Sequence, residues 1–311
     1  MKLRNRSLCF ALVFPLLLNY NYKEDYMNYI QPIIARREVT TRILQAFHLK
    51  ADKNLGQNFL VEESVVNRIA KAAELTPEDT VLEIGPGIGT LTQALAMTGA
   101  SVVSVELDKR LIPVLQETVG AYENVRVVQG DILKINILET VQAEPFKVCA
   151  NLPYYITTPI IMNLLEQKLP IERLVVMVQK EVAERMTASP GGREYGAISV
   201  AMQYYTEPKI AFIVKAGSFL PAPKVDSAVL VCKKRSTPPV DVPDENVFFK
   251  VVAAAFSVRR KMLTNSLKNM GGLTGEQVKS WLDRAGIDGK RRADTLSLEE
   301  FACLARTWKV K

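Results

Sequence analysis

A glycine loop, Glu83-Ile84-Gly85-Pro86-Gly87-Ile88-Gly89, follows a strand-forming run that begins at Thr80 and leads into a helical pattern over residues 90–97. A strand that ends in a tight glycine turn and re-enters as a helix opens a β-α-β unit, because glycine lets the backbone turn sharply and approach a bound group closely. The alternation continues along the chain. Residues 61–73 carry Val65, Val66, Ile69, Ala70 and Ala73 at helical spacing, and residues 101–107, 125–129, 146–150 and 174–179 read as further strands. Residues 211–214 and 228–232 read as a closing hairpin whose last strand makes the sheet mixed. The pattern predicts an α/β fold on a mainly parallel sheet.

The stretch Ser236-Thr237-Pro238-Pro239-Val240-Asp241-Val242-Pro243 breaks both periodicities, which predicts a domain boundary there. Beyond it, residues 246–258, 262–270, 275–285 and 297–308 show apolar residues three and four apart, enough for a small all-helical C-terminal domain. The predicted organisation is an extension over 1–26, an N-terminal segment over 27–60, an α/β domain over 61–239 and a helical domain over 240–311.

Charge and cysteine usage narrow the chemistry. Of the net +7, residues 1–50 carry eight Lys/Arg against three Asp/Glu, the middle to residue 239 carries 19 against 21, and 240–311 carries 13 against nine. Basic ends around a mildly acidic middle suit a polyanion flanking a neutral or acidic site, or else a solvated surface. The four cysteines, Cys9, Cys149, Cys232 and Cys303, are scattered without a C-x-x-C pair, which argues against a zinc site and a disulfide framework and fits a reducing, cytoplasmic setting. His48 is the single histidine, so serine-histidine catalysis and histidine metal sites are nearly excluded; it reads as a polar residue of a connecting segment. Lys2, Arg4 and Arg6 precede an apolar run over residues 8–18 that resembles a signal sequence but lacks a small-x-small cleavage site and is too short to span a bilayer. Met27 is the expected start of translation, and no membrane association is expected.

Candidate site residues fall at predicted strand ends. The glycine spacing is G-x-G-x-G, with Thr90 where a dinucleotide fingerprint has its third glycine, so Gly85 and Gly87 form a cradle of a different kind. Glu106 ends the second strand, where a carboxylate can accept hydrogen bonds from both hydroxyls of a ribose. Gly130-Asp131-Ile132 follows the third strand, where Asp131 can hold the exocyclic amine of an adenine ring flanked by Ile132. After the fourth strand come Asn151-Leu152-Pro153-Tyr154. An asparagine oxygen and a nearby backbone carbonyl can both accept from an exocyclic NH2, while a tyrosine ring stacks on the base. Such an amine is a poor nucleophile because its lone pair is delocalised, so a site that alkylates it must hold it in place. No proton-abstracting residue is strictly required.

Together with residues 53–60 (Lys-Asn-Leu-Gly-Gln-Asn-Phe-Leu) and 219–227 (Phe-Leu-Pro-Ala-Pro-Lys-Val-Asp-Ser), these motifs resemble the S-adenosylmethionine-dependent rRNA adenine N6,N6-dimethyltransferases from about Ile34 to the C-terminus. Leu152, residues 185–200 and residues 257–261 look more like the small-subunit branch than the large-subunit antibiotic-resistance branch. The resemblance implies a Rossmann-like class I S-adenosylmethionine methyltransferase sheet with a helical C-terminal domain for rRNA. It implies cofactor contacts from Asn58, Leu60, Gly85, Glu106, Asp131 and Asn151, and a target adenine between Tyr154 and Phe219. Its implied reaction is double methylation of two adjacent adenines in the 3′-terminal hairpin of small-subunit (16S) rRNA, within an assembling 30S subunit, by a metal-free monomer. Ala222 replaces a common proline, and Met262 stands where threonine is frequent.

For the RNA, three basic clusters are candidates: Lys233-Lys234-Arg235, Arg259-Arg260-Lys261 and Lys290-Arg291-Arg292. Three other readings stay open. They are the large-subunit branch, a methyltransferase acting on a protein amide, and a non-catalytic RNA-binding assembly factor. The basic C-terminal segment and Phe219 suit a flat base on a polyanion, and the intact Glu106, Asp131 and Asn151 set argues against lost catalysis.

Overall fold

β-branched runs bounded by turns build a seven-stranded sheet. The computed structural model describes residues 32–52, 55–258 and 260–308, so the readings of residues 1–26, Cys9 and Arg259 lie outside it. Helix α1 (Arg37–Ala46) and the two-residue strand β1 (Phe59–Leu60) precede α2 (Glu63–Ala72). An alternation then runs β2 (Thr80–Ile84), α3 (Thr90–Ala96), β3 (Ser101–Glu106), α4 (Ile112–Thr118), β4 (Val125–Gln129), α5 (Ile137–Val141), β5 (Phe146–Asn151), α6 (Thr157–Glu166) and β6 (Ile171–Gln179). After it come α7 (Lys180–Thr187), α8 (Ala197–Tyr205), β7 (Thr206–Val214), β8 (Phe219–Leu220) and β9 (Ser227–Lys234). The chain ends with α9 (Glu245–Phe256), α10 (Leu263–Ser266), α11 (Gly275–Ala285) and α12 (Leu298–Thr307).

The large sheet has the order β4-β3-β2-β5-β6-β9-β7, and its first five strands pair in parallel. β2, β5 and β6 read as near-continuous apolar runs, with Val81, Leu82, Val148, Cys149 and Val175 fully buried, as strands covered on both faces must be. β9 lies between β6 and β7, so the last strand of the sequence is internal to the sheet and β7 forms its edge. β6 and β7 begin earlier than their apolar runs suggest, at Ile171 and Thr206, because alternating burial at their starts hides the strand from a run-based reading. A separate two-stranded sheet joins β1 to β8 antiparallel, with Leu60 opposite Phe219.

The chain forms two units, one of residues up to Lys180 with Ala211–Val231, the other of Glu181–Ile210 with Cys232–Lys311. The last crossing falls at Val231/Cys232, within β9 and ahead of the prolines at 236–243. Within the second unit, residues around α8 pack on α9: the Tyr204 ring stacks on Phe248 with centroids 5.0 Å apart, and Tyr195 meets Phe256 edge-on at 6.1 Å. Capping boxes at Thr274 with Gln277 and at Ser297 with Glu300 start α11 and α12 by satisfying amides that have no partner within the helix. Residues 262–270, read as one helix, hold only α10 and a short 3-10 turn. Leu263 N and Thr264 N bond instead to the carbonyls of Arg291 and Gly289.

Gly89 starts α3 at φ +92°, a left-handed conformation, and a β-carbon there would lie 2.8 Å from Val119 Cγ1 and 2.9 Å from Thr118 Oγ1. Neither neighbour has exposed surface into which it could retreat. Gly89→Ala is expected to lower unfolding free energy by about 2 to 5 kcal/mol, the joint cost of a left-handed non-glycine residue and an overpacked contact, measured by urea titration.

Candidate active site

Parallel pairing aligns the carboxyl ends of four strands. Ile84 lies opposite Val105 and Ala150, and Glu106 opposite Gln129, so the residues just beyond each strand face one edge. A cavity opens there. Asn58, Leu60, Gly85, Gly87, Glu106, Asp131, Ile132, Asn151, Leu152, Pro153, Tyr154 and Phe219, the residues singled out from the sequence for cofactor and base, all line it. It also draws on residues that sequence reasoning did not nominate, among them Gln57, Leu107 and Tyr155.

Glu106 is 6% exposed, and its two oxygens accept from Gly87 N at 3.1 Å and Asp108 N at 2.8 Å. Burial holds its carboxyl above the ordinary range, against the pull of those amides. Each oxygen keeps a second lone pair for a hydroxyl donor. Asp131 accepts from Leu133 N at 3.1 Å and meets Lys134 at 3.3 Å, and Ile132 beside it is buried.

The cover of the cavity comes from the segment before α2. Gln57 donates Nε2 to Asp108 Oδ2 at 2.8 Å and accepts from Asp52 N at 2.9 Å, which ties residues 55–60 to the end of β3. Arg110 bonds both Asp108 and Asp52, closing the same seam. The signal for Gln57 was its place in the Gln-Asn-Phe-Leu motif, whereas nothing local marks Asp108 as its partner. On the far side, Gln93 of α3 accepts from Ile34 N at 2.9 Å and donates to Pro32 O at 3.1 Å, anchoring the chain ahead of α1.

Asn151 donates Nδ2 to Asn58 O at 3.5 Å, a long bond that directs its amide nitrogen away and leaves Oδ1 as an acceptor. Pro153 O is occupied by Ile156 N and Thr157 Oγ1, so it caps α6, while Leu152 N is fixed on Met177 O. Among the described residues no hydrogen bond goes to Leu152 O. Tyr154 is half-buried with its hydroxyl 2.7 Å from Ser227 Oγ. Phe219 is 2% exposed and reaches the cavity from the apolar core, where Leu60 and Leu91 are also packed. Tyr155 at the mouth is exposed.

The candidate RNA residues are dispersed. Arg260 and Lys261 line a groove within the helical unit with Arg185, Lys290, Arg291, Arg292 and the aromatic Tyr195. Arg291 is engaged in a bidentate pair with Glu300. Of the cluster at 233–235, Lys233 is exposed, Lys234 lies over the Tyr205 ring at 5.3 Å with burial lowering its pKa, and Arg235 donates to the carbonyls of Gln203 and Thr206 at 3.1 Å. His48 is an exposed turn residue after α1. Among the described residues no group of three metal-ligating side chains occurs, and no helix is long and apolar enough to cross a membrane.

The sheet with its edge cavity defines a class I S-adenosylmethionine methyltransferase fold. A family model described as ribosomal RNA adenine dimethylase matches residues 48–309, and the chain belongs to that family. Proteins named ribosomal RNA small subunit methyltransferase A are similar: that of Clostridioides difficile is 44% identical over 89% of this chain and 98% of its own length, and that of Geobacillus thermodenitrificans 48% identical over 86% and 94%. Among solved structures, the 23S rRNA methyltransferase ErmE aligns with TM-score 0.63 at 30% identity over 80% of this chain and 99% of its own. A dimethyladenosine transferase from Plasmodium falciparum aligns with TM-score 0.67 at 25% identity over 79% and 95%.

Behind the glycine loop, Glu83 is 1% exposed; its Oε2 accepts from Thr92 and Ser104 hydroxyls at 2.6 Å each, and its Oε1 has no partner. Burial pushes its pKa up to about 7. The folded state therefore binds a proton that the unfolded state has released between pH 4.5 and about 7. This contribution to stability is fully present below pH 4.5 and declines by about 1.4 kcal/mol per pH unit until the folded group ionises. Glu83→Gln is expected to remove that slope, read as the difference between wild-type and variant urea unfolding across pH 5 to 8.

Proposed function

We propose that this chain transfers methyl groups from S-adenosylmethionine to N6 of two adjacent adenines in the 3′-terminal hairpin of small-subunit rRNA, giving N6,N6-dimethyladenosine. The observation that carries this reading is the convergence of Glu106, Asp131, Asn151 and Tyr154 on one cavity at the sheet edge. The substrate class rests on the relatives at 44 to 48% identity that carry the small-subunit name, against 30% for the large-subunit enzyme. The chain works as a cytoplasmic monomer on RNA held in an assembling 30S particle. Its α/β catalytic domain holds the cofactor under residues 55–60 of the N-terminal segment, and its helical part binds rRNA.

The residues present fit this cofactor. Gly87 stands at φ +63° with the Phe59 ring 3.6 Å from where a β-carbon would be, so the loop leaves room that a side chain would take. Glu106 would accept from the ribose hydroxyls and Asp131 from the adenine amine, with Ile132 beside the ring, and Asn58, Leu60 and Gly85 would hold the remainder. When bound, S-adenosylmethionine supplies a methyl group on a positively charged sulfur.

The chain's part is placement. Asn151 Oδ1 and Leu152 O accept from the target N6 hydrogens, which turns the nitrogen lone pair out of the base plane. Alignment of this kind contributes roughly 7 to 11 kcal/mol to a two-reactant step. Stacking on Tyr154 and Phe219, on the order of 1 to 3 kcal/mol per contact, offsets the few kcal/mol needed to unstack a base. After one transfer the N6 cation releases a proton to solvent and a single N6 hydrogen remains, so one acceptor is released and the methyl turns toward Pro153. The groove that holds Arg260 and Lys261 contacts phosphates, which makes binding salt-dependent without reading sequence.

The test is methyl transfer from labelled S-adenosylmethionine to unmethylated small subunits, free small-subunit RNA and large-subunit RNA, with nucleosides identified by mass spectrometry. Dimethyladenosine in the small-subunit arms is expected. Product on large-subunit RNA would move the chain to the other branch, and no product anywhere would leave a binding factor or a protein substrate. Asn151→Ala is expected to lose turnover by roughly a hundredfold or more while cofactor affinity changes far less, and unchanged turnover would sink the acceptor role. Glu106→Gln is expected to weaken cofactor binding by roughly tenfold or more, measured by calorimetry. Because burial raises the Glu106 pKa, wild-type affinity should fall as the pH is lowered through that raised value, and the Gln variant should not follow.

A further inference from the structure

The two rings proposed to hold the base are set by neighbouring residues of one loop. Ser227, the first residue of β9, has no exposed surface, and its hydroxyl lies 2.7 Å from that of Tyr154. Asp226, just before it, accepts from Ala216 N at 3.1 Å and Lys215 Nζ at 2.9 Å, and its carbonyl accepts from Lys180 N at 3.0 Å. Those bonds close the loop over residues 215–226. Within the loop, Phe219 is paired with Leu60, Ser218 O accepts from Val61 N at 2.8 Å, and the Ser218 hydroxyl bonds Glu62. Phe219 is thus held by backbone pairing and core packing, but Tyr154 has a face free for a ligand. A tyrosine side chain can swing about its Cα–Cβ bond between staggered positions, and an anchored hydroxyl at the far end of the ring holds it in one of them. A ring swung out of that position would not offer a flat surface where a base could stack on it.

We propose that Ser227 is a positioning residue for methyl transfer: its buried hydroxyl anchors the far end of Tyr154 and so fixes where the ring stands opposite Phe219, so that an adenine entering the cavity is held with N6 at Asn151. The inference rests on the adenine-methylation reading above. Ser227 touches neither cofactor nor base, and it acts through Tyr154 alone. Removing either end of the bond therefore removes the same restraint, and the second removal adds nothing.

The experiment compares wild type, Ser227→Ala, Tyr154→Phe and the double variant in methyl transfer to unmethylated small subunits, with S-adenosylhomocysteine affinity and thermal midpoint measured on each. Both single variants are expected to lower kcat by roughly three- to tenfold, the range of one lost neutral hydrogen bond. The double variant should fall no further than the lower single one, and cofactor affinity should stay within about twofold, as it must when only a base-holding ring is loosened. Wild-type turnover in Ser227→Ala would overturn the role. So would losses that multiply in the double variant, or cofactor binding that falls in step with kcat. Absence of transfer by the wild type would defeat the methylation reading and this inference together, whereas wild-type transfer with an unaffected Ser227→Ala removes the positioning role alone.

Discussion

Parallel register among β2, β3, β4 and β5 is the constraint on which the cavity depends. Each of these strands runs in the same direction, so their carboxyl ends stop along one edge, with Ile84 opposite Val105 and Ala150 and Glu106 opposite Gln129. The residues beyond those ends then share a space that no single segment could enclose. Crossover helices follow as a consequence, since a parallel partner can be reached only by a long return over a sheet face. The apolar surface of α3, which joins β2 to β3 with Leu91, Leu95 and Ala96 buried, is one such cover.

Around that edge the structure places its polar groups against opposing demands. Glu83 lies behind the glycine loop where burial favours its neutral form, while Glu106, one strand over, keeps two amide donors that favour its charge. Desolvation dominates in both cases. The difference lies in reach: Glu106 lines the cavity and Glu83 does not. A carboxyl sealed under the loop bears on folding stability, and one at the rim bears on a ligand.

Much of the site was legible in the sequence because glycine, acidic and asparagine residues stand immediately after apolar runs. Gly85, Glu106, Asp131 and Asn151 all follow that rule. Residues whose partners are distant in sequence were not legible. Gln57 finds Asp108, Tyr154 finds Ser227, and Phe59–Leu60 find Phe219–Leu220 in a ladder only two residues long, too short for any periodicity to show. Neighbours within the charge clusters part company for a related reason. Lys233, Lys234 and Arg235 are adjacent in sequence, yet alternation along β9 and the end of α8 send them to different surroundings, and Arg291 is committed to Glu300.

From its sequence alone this chain determined an α/β sheet with a glycine turn, the strand ends that carry polar residues and a helical C-terminal part, since hydrophobic period and turn chemistry are local properties. Tertiary structure alone decided that residues 181–210 belong with the C-terminal helices, that β9 sits inside the sheet, and that Ser227 meets Tyr154. Those outcomes depend on which apolar faces and which hydroxyls meet once the chain has closed on itself, and contacts across many residues leave no repeating mark in the segments that make them.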